Sequence, residues 1–170
     1  MPFSETLLPE FDEEIKNTRI LLTCVPDGNF DYQPHPKSMT LGRLATHVAE
    51  IPAWTTFTLD QEVLDLPADF KPTIATSQAE LLQMLDKGAA EARERIAAAS
   101  DEDWAKIWTL NYAGNTIISM PRSAVMRSTI MNHLIHHRAQ LGVYLRLNNV
   151  AFPGMYGPSA DEKKFLAAGN

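Results

Sequence analysis

Apolar residues recur along this chain at steps of three and four, the signature of helices that bury one face. Leu8, Phe11, Ile15, Thr18 and Leu22 share such a stripe and predict a first helix over residues 4–25, ended by Pro26-Asp27-Gly28-Asn29. After a Pro- and Asp-rich loop, Thr40 offers an N-cap to a second helix whose buried stripe reads Leu41, Leu44, Val48, Ile51, Thr55 and Leu59. Pro52 lies inside that stripe and should free the Val48 carbonyl, kinking the helix near His47. Ser77-Gln78-Ala79-Glu80 reads as a capping box for a third helix, with Leu82, Leu85, Ala89, Ala92 and Ile96 inward and Glu91 and Arg95 as an outward pair.

Ser100-Asp101-Glu102-Asp103 starts a short turn, and β-favouring residues on either side of Ala113-Gly114-Asn115 predict a small hairpin over residues 107–120. A fourth helix begins at Pro121, suited to a first helical position, and runs to about Leu147 with Met126, Ile130, Leu134, Leu141 and Leu145 inward. Asn148-Asn149 and the Pro/Gly-rich stretch 152–159 read as a non-helical tail. No repeat or linker divides the chain, so the expectation is one all-α domain over residues 1–170: a four-helix bundle with a long connection between helices two and three.

Composition narrows what such a bundle can be. At 170 residues, 45% of them hydrophobic, the chain can bury a core without disulfides or a structural metal, so a metal here would serve function. A formal net charge of −6 argues against nucleic-acid partners. No apolar run reaches the roughly 18 residues of a membrane span, and the start lacks the pattern of a secretory signal. A cytoplasmic protein with no membrane partner is expected. The single Cys24, in the apolar setting Leu21-Leu22-Thr23-Cys24-Val25, reads as an inert packing residue.

The chemistry concentrates in His133-Leu134-Ile135-His136-His137. Residues four apart on a helix differ by about 40° around the axis, so His133 and His137 project side by side. His136 sits about 100° from His137 and is better placed to hydrogen-bond than to share an ion. Alone, the pair fits hydrogen-bonded core or groove histidines better than a metal site, because two ligands do not complete one. His47, on the edge of the inward face of helix two, could supply a third imidazole from a facing helix. Three histidines would leave positions open to water or substrate, and zinc, nickel, iron and cobalt all accept imidazole nitrogen.

Metal-bound imidazoles usually donate their second N–H to an oxygen, for which Glu50, Asn132 and Gln140 are candidates; each also fits an exposed or interhelical polar role. Arg138 is expected in a surface salt bridge and His35 in an exposed loop. Core packing is the stronger expectation for Trp54, Trp104, Trp108 and Tyr144, though Trp54 could also wall a pocket beside His47.

At these residues the sequence resembles the DinB (DinB/YfiT-like) family. The resemblance rests on Leu44-Ala45-Thr46-His47-Val48-Ala49-Glu50, on Asn132-His133-Leu134-Ile135-His136-His137-Arg138-Ala139-Gln140-Leu141, and on the tail Tyr156-Gly157-Pro158-Ser159-Ala160-Asp161-Glu162. Many relatives have Gly where Ala139 stands, a small-for-small change. The resemblance implies a four-helix bundle with a long crossover, homodimers, and one divalent ion, zinc or nickel foremost, on His47, His133 and His137. It includes thiol-dependent transferases and isomerases, so one implied activity joins a low-molecular-weight thiol to an electrophilic substrate. A metal-dependent hydrolase, a non-catalytic metal- or ligand-binding stress protein and a structural bundle are the alternatives. Fold alone does not choose among them, and no catalytic side chain is assigned.

Overall fold

The computed structural model describes residues 1–167, mostly helical with one small sheet. Helix α1 spans Phe3–Leu22. After a 3₁₀ turn at Asp27–Asn29 and a loop, α2 spans Leu41–Glu50, with the Thr40 hydroxyl accepting the Arg43 N–H at 3.2 Å as its cap. Pro52 does more than kink the second helical stripe: Ile51–Ala53 tightens into a 3₁₀ turn before α3, Trp54–Asp60. Strand β1, Val63–Leu66, follows, then α4 over Gln78–Ala98 and the short α5 over Asp101–Ala105.

Three details of α4 differ from the sequence expectation. The Ser77 hydroxyl accepts the Glu80 N–H, but the Glu80 carboxylate turns outward to the N–H of Thr76 at 2.6 Å, so the capping box is half made. A complete box stands instead on Ser100 and Asp103 at α5. Leu81, not Leu82, is fully buried, and Arg95 reaches across to Asp60 at 2.8 Å rather than standing as an isolated pair with Glu91.

Strands β2, Ile107–Tyr112, and β3, Asn115–Pro121, pair antiparallel across Ala113-Gly114, both at positive φ as a tight hairpin turn requires. Strand β1 adds to the hairpin in parallel, giving the order β1-β2-β3 where a two-stranded unit was expected. Four residues, Val-Leu-Asp-Leu, are too few for a periodicity to declare itself.

Pro121 proves to be the cap residue rather than the first helical one. It leads into α6, Arg122–Val125, then a π-helical stretch Met126–Asn132, then α7, His133–Leu147. Helix α1 packs on α4, and α2 packs between α4 and α7. Their shared core includes Phe11, Leu22, Leu44, Val48, Leu85, Ile96, Met126, Ile130, Leu134, Leu141 and Leu145, so the sequence stripes meet largely as expected. Trp104 is buried with its indole N–H donating to the Ser4 hydroxyl at 2.8 Å, which removes the cost of burying that donor.

The tail folds back before α8, Glu162–Ala167. A Cβ on Gly154 would lie 1.7 Å from the Gly157 carbonyl oxygen, so only glycine allows this close return of the backbone. The Glu162 carboxylate accepts the N–H groups of Gly154 and Ser159, closing the bend. No helix among the described residues is long and apolar enough to cross a membrane.

Candidate metal centre

Helix α2 sets Arg43, His47 and Glu50 one turn apart along a single face, and α7 sets His133 and His137 one turn apart on the face that meets it. The three imidazoles converge. Ring centroids lie 5.0 Å apart for His47 and His133, 4.7 Å for His47 and His137, and 4.6 Å for His133 and His137. One nitrogen from each falls within 4.8 Å of the others, a grouping that could hold a metal ion. His47 is buried and the two α7 histidines are half buried, with Trp54 edge-on to His47 and tilted on His133, both at 5.4 Å.

Each ring is held by its far nitrogen. Nδ1 of His47 lies 2.7 Å from the Glu50 carboxylate, Nδ1 of His137 lies 2.7 Å from Oε1 of Gln140, and Nδ1 of His133 lies 3.2 Å from the Thr129 carbonyl. All three partners are acceptors, so Nδ1 carries the proton in each ring and Nε2 keeps its lone pair. The Nε2 atoms of His47 and His133 then face each other at 3.3 Å. Two such lone pairs repel unless a cation sits between them. Zinc–nitrogen bonds of about 2.0–2.1 Å at a tetrahedral angle place neighbouring nitrogens about 3.3 Å apart, so the His47–His133 pair matches a shared divalent ion in spacing, and the three imidazoles fit one in type.

The electrostatics keep the site ready. Burial, reinforced by His137 and His47, pushes the His133 pKa down to about 4. Burial also lowers that of His137, against the opposing effect of Gln140, and the proximity of His47, His136 and Arg43 lowers it further. Near pH 7 His133 and His137 are neutral, the form that ligates.

Other candidate residues sort clearly. Glu50 and Gln140 are the acceptors on His47 and His137, whereas Asn132 is exposed and does not join the triad. His136 is exposed, with its ring 4.9 Å from that of His137 and outside the ligand grouping. His35 is exposed in its loop, its Nδ1 accepting the Lys37 N–H at 3.1 Å.

Arg138 is a correction: it is buried, not at the surface, and its partners lie far away in sequence. It donates to the Glu14 carboxylate at 2.5 Å, the Glu14 carbonyl at 2.9 Å, the Thr18 hydroxyl at 3.1 Å and the Tyr156 hydroxyl. Tyr156 in turn donates to Glu14 at 2.7 Å, which gives the tail motif a mechanical role. Two contributors escaped the sequence reading. The Thr129 carbonyl belongs to a π-helical stretch with no evident sequence mark, but Arg43, four residues before His47, was open to detection by helical spacing. Arg43 donates to Glu50 at 3.0 Å and touches Nδ1 of His47 at 3.4 Å.

A helical protein whose facing segments bring together three imidazoles that could hold a metal ion is the class that fold and site define. The chain belongs to the DinB family, whose model matches residues 1–165. It is 26% identical over 159 residues to YrdA, an uncharacterized protein of Bacillus subtilis (strain 168), covering 91% of this chain and 89% of the relative. A DinB-like protein from Bacillus cereus ATCC 10987 shares the fold with a TM-score of 0.69 at 24% identity, covering 91% of this chain and 98% of its own. The DinB-like protein YjoA of Bacillus subtilis does so with a TM-score of 0.65 at 15% identity, over 88% and 97% of the two chains.

Proposed function

We propose that this DinB-family chain is a four-helix-bundle protein of the cytoplasm that holds one divalent ion, zinc or nickel, on His47, His133 and His137, and joins a low-molecular-weight thiol to an electrophile. The observation that carries the reading is the 3.3 Å approach of the His47 and His133 Nε2 atoms, each ring having its Nδ1 on an acceptor, with the third imidazole completing the group. A divalent ion held there supplies Lewis acidity that favours the thiolate form of a thiol near neutral pH.

The chain's own residues orient and shield. Glu50, Gln140 and the Thr129 carbonyl hold the three rings in the ligating tautomer, and Trp54 covers one side against water. No protein nucleophile is required, and Cys24 is unsuited to the part: it is half buried and burial raises its pKa. Glu50 is engaged by both Arg43 and His47, which argues against its use as the base of a hydrolase.

Metal analysis of purified wild-type and His133→Ala protein tests the site, followed by a screen of the loaded form with thiols and electrophiles. One ion per wild-type chain, lost in the variant, with thiol consumption only in the loaded wild type, is the expected result. Stoichiometric metal in both proteins would remove the assignment. Metal loss without any thiol chemistry would leave a metal-binding protein that is not a thiol transferase. We also propose a homodimer, which light scattering on the purified chain would give as twice the monomer mass.

A further inference from the structure

His137 reaches beyond the triad. It forms part of the wall of a cleft of about 410 Å³, with Lys37, Ser38, Leu44, Gln140 and Tyr144 among the other lining residues. The polar character of this cleft is one-sided. Oε1 of Gln140 is committed to the N–H of His137 at 2.7 Å, which leaves the amide NH₂ as two donors with no partner among the described residues. Among the described residues the Lys37 ammonium has no ion-pair or hydrogen-bond partner either, and none of those lining the cleft is a carboxylate. Tyr144 uses its hydroxyl proton on the Met39 carbonyl at 3.2 Å.

The loop bearing Lys37 is held in place. The Lys37 N–H donates to His35 at 3.1 Å, the Ser38 N–H to the His35 carbonyl at 2.8 Å, and the Gln33 amide to the Ser38 carbonyl at 2.6 Å. The Lys37 cation and the Gln140 amide NH₂ at one opening form a receptor for a carboxylate, and the single formal charge matches a monoanion.

We propose that the cleft beside His137 binds the carboxylate of a small molecule through Lys37 and the Gln140 amide, so that Gln140 couples anion recognition to the orientation of a triad histidine. This rests on the thiol reading above and deepens it: the preferred thiol carries a carboxylate. Gln140 is a positioning residue with two ends, its oxygen on His137 and its NH₂ toward the ligand.

The test titrates zinc-loaded full-length protein with 3-mercaptopropionate and with 2-mercaptoethanol by calorimetry. Wild type is expected to bind the carboxylate thiol about tenfold more tightly. Lys37→Ala should erase that preference while leaving 2-mercaptoethanol affinity unchanged, and Lys37→Arg should restore it. Gln140→Glu keeps an acceptor for His137, so zinc is retained, but it replaces the donors with a like charge and should abolish the preference. Equal affinities in wild type, or a preference that survives Lys37→Ala, overturns the proposal. If neither thiol binds, the thiol reading fails, and propionate decides the cleft by itself: a Lys37-dependent shift of the Gln140 side-chain amide NMR signals upholds it, and no shift refutes it.

Discussion

Helix α7 carries two polar clusters one residue apart, and they are built to opposite ends. His133 and His137 look toward α2 and present lone pairs that no donor among the described residues satisfies, whereas Arg138 looks toward α1 and is bonded by Glu14, Thr18 and Tyr156. Both clusters remove polar atoms from water, at a cost that partners must offset. The Arg138 cluster is closed by the chain itself, down to a tail tyrosine recruited for the purpose. The histidine cluster is closed only on its far side, by Glu50, Gln140 and Thr129. Saturation marks a cluster that holds the fold, and a convergent set of unused lone pairs marks one that awaits a ligand.

The comparison breaks first at Arg138. Arg138→Ala leaves the Glu14 carboxylate buried without its cation and should cost about 3–5 kcal/mol of folding stability, read by urea unfolding of the metal-free protein. Metal affinity of the remaining folded protein should be unchanged. A variant as stable as wild type would mean that the cluster is an ornament of the fold rather than its clasp.

Glu50→Gln addresses the opposite side. It weakens the acceptor on Nδ1 of His47 and should lower metal affinity about 10–100-fold in a chelator competition. The stability of the metal-free protein should fall by only about 1 kcal/mol, because the Arg43–Glu50 pair is partly exposed. The reverse pattern, stable metal binding in an unstable protein, would assign Glu50 to the fold.

Acid separates the two clusters without mutation. The His133 pKa lies at about 4 in the folded protein against 6.5 for the unperturbed group, so between these values the unfolded chain takes up a proton that the folded one refuses. The stability of the metal-free protein should therefore be level above about pH 6.5 and fall as pH drops toward 4, with His137 acting in the same direction. His133→Gln should flatten this limb in thermal melts across the range, and an unchanged limb would place the titrating group elsewhere.

How far the sequence displays this depends on the distance over which each feature is encoded. The helical stripes are local, and residues such as Leu44, Val48, Leu134 and Leu141 reach the core as their spacing foretells. His133 and His137 are legible for the same reason, being one turn apart. His47 required the facing of α2 and α7, which spacing alone does not supply and the family resemblance did. Arg138 misled because its carboxylate partner stands 124 residues earlier and its tyrosine lies in a tail without periodicity. The π-helical stretch before His133 and the four-residue β1 carry no compositional mark, so they became visible only in three dimensions.

The smallest expected effect lies where the tail meets the Arg138 cluster. Tyr156 is itself largely exposed, yet its hydroxyl bridges Glu14 and Arg138. Tyr156→Phe removes that hydroxyl while keeping the ring over the guanidinium, 5.4 Å from its centroid. The buried ion pair survives, so the loss should be about 1 kcal/mol or less, since the bond is charge-assisted but open to water. The tail remains tied by Ser159, Glu162 and the Arg146–Asp161 pair, so its bend should persist. Hydrogen exchange across residues 150–161 distinguishes the alternatives: slightly faster exchange confined to residues near Tyr156 fits a brace on an independently folded tail. Loss of protection along the whole segment would make the tyrosine hydroxyl the anchor itself, and the clasp on α7 would then extend through residues 150–161.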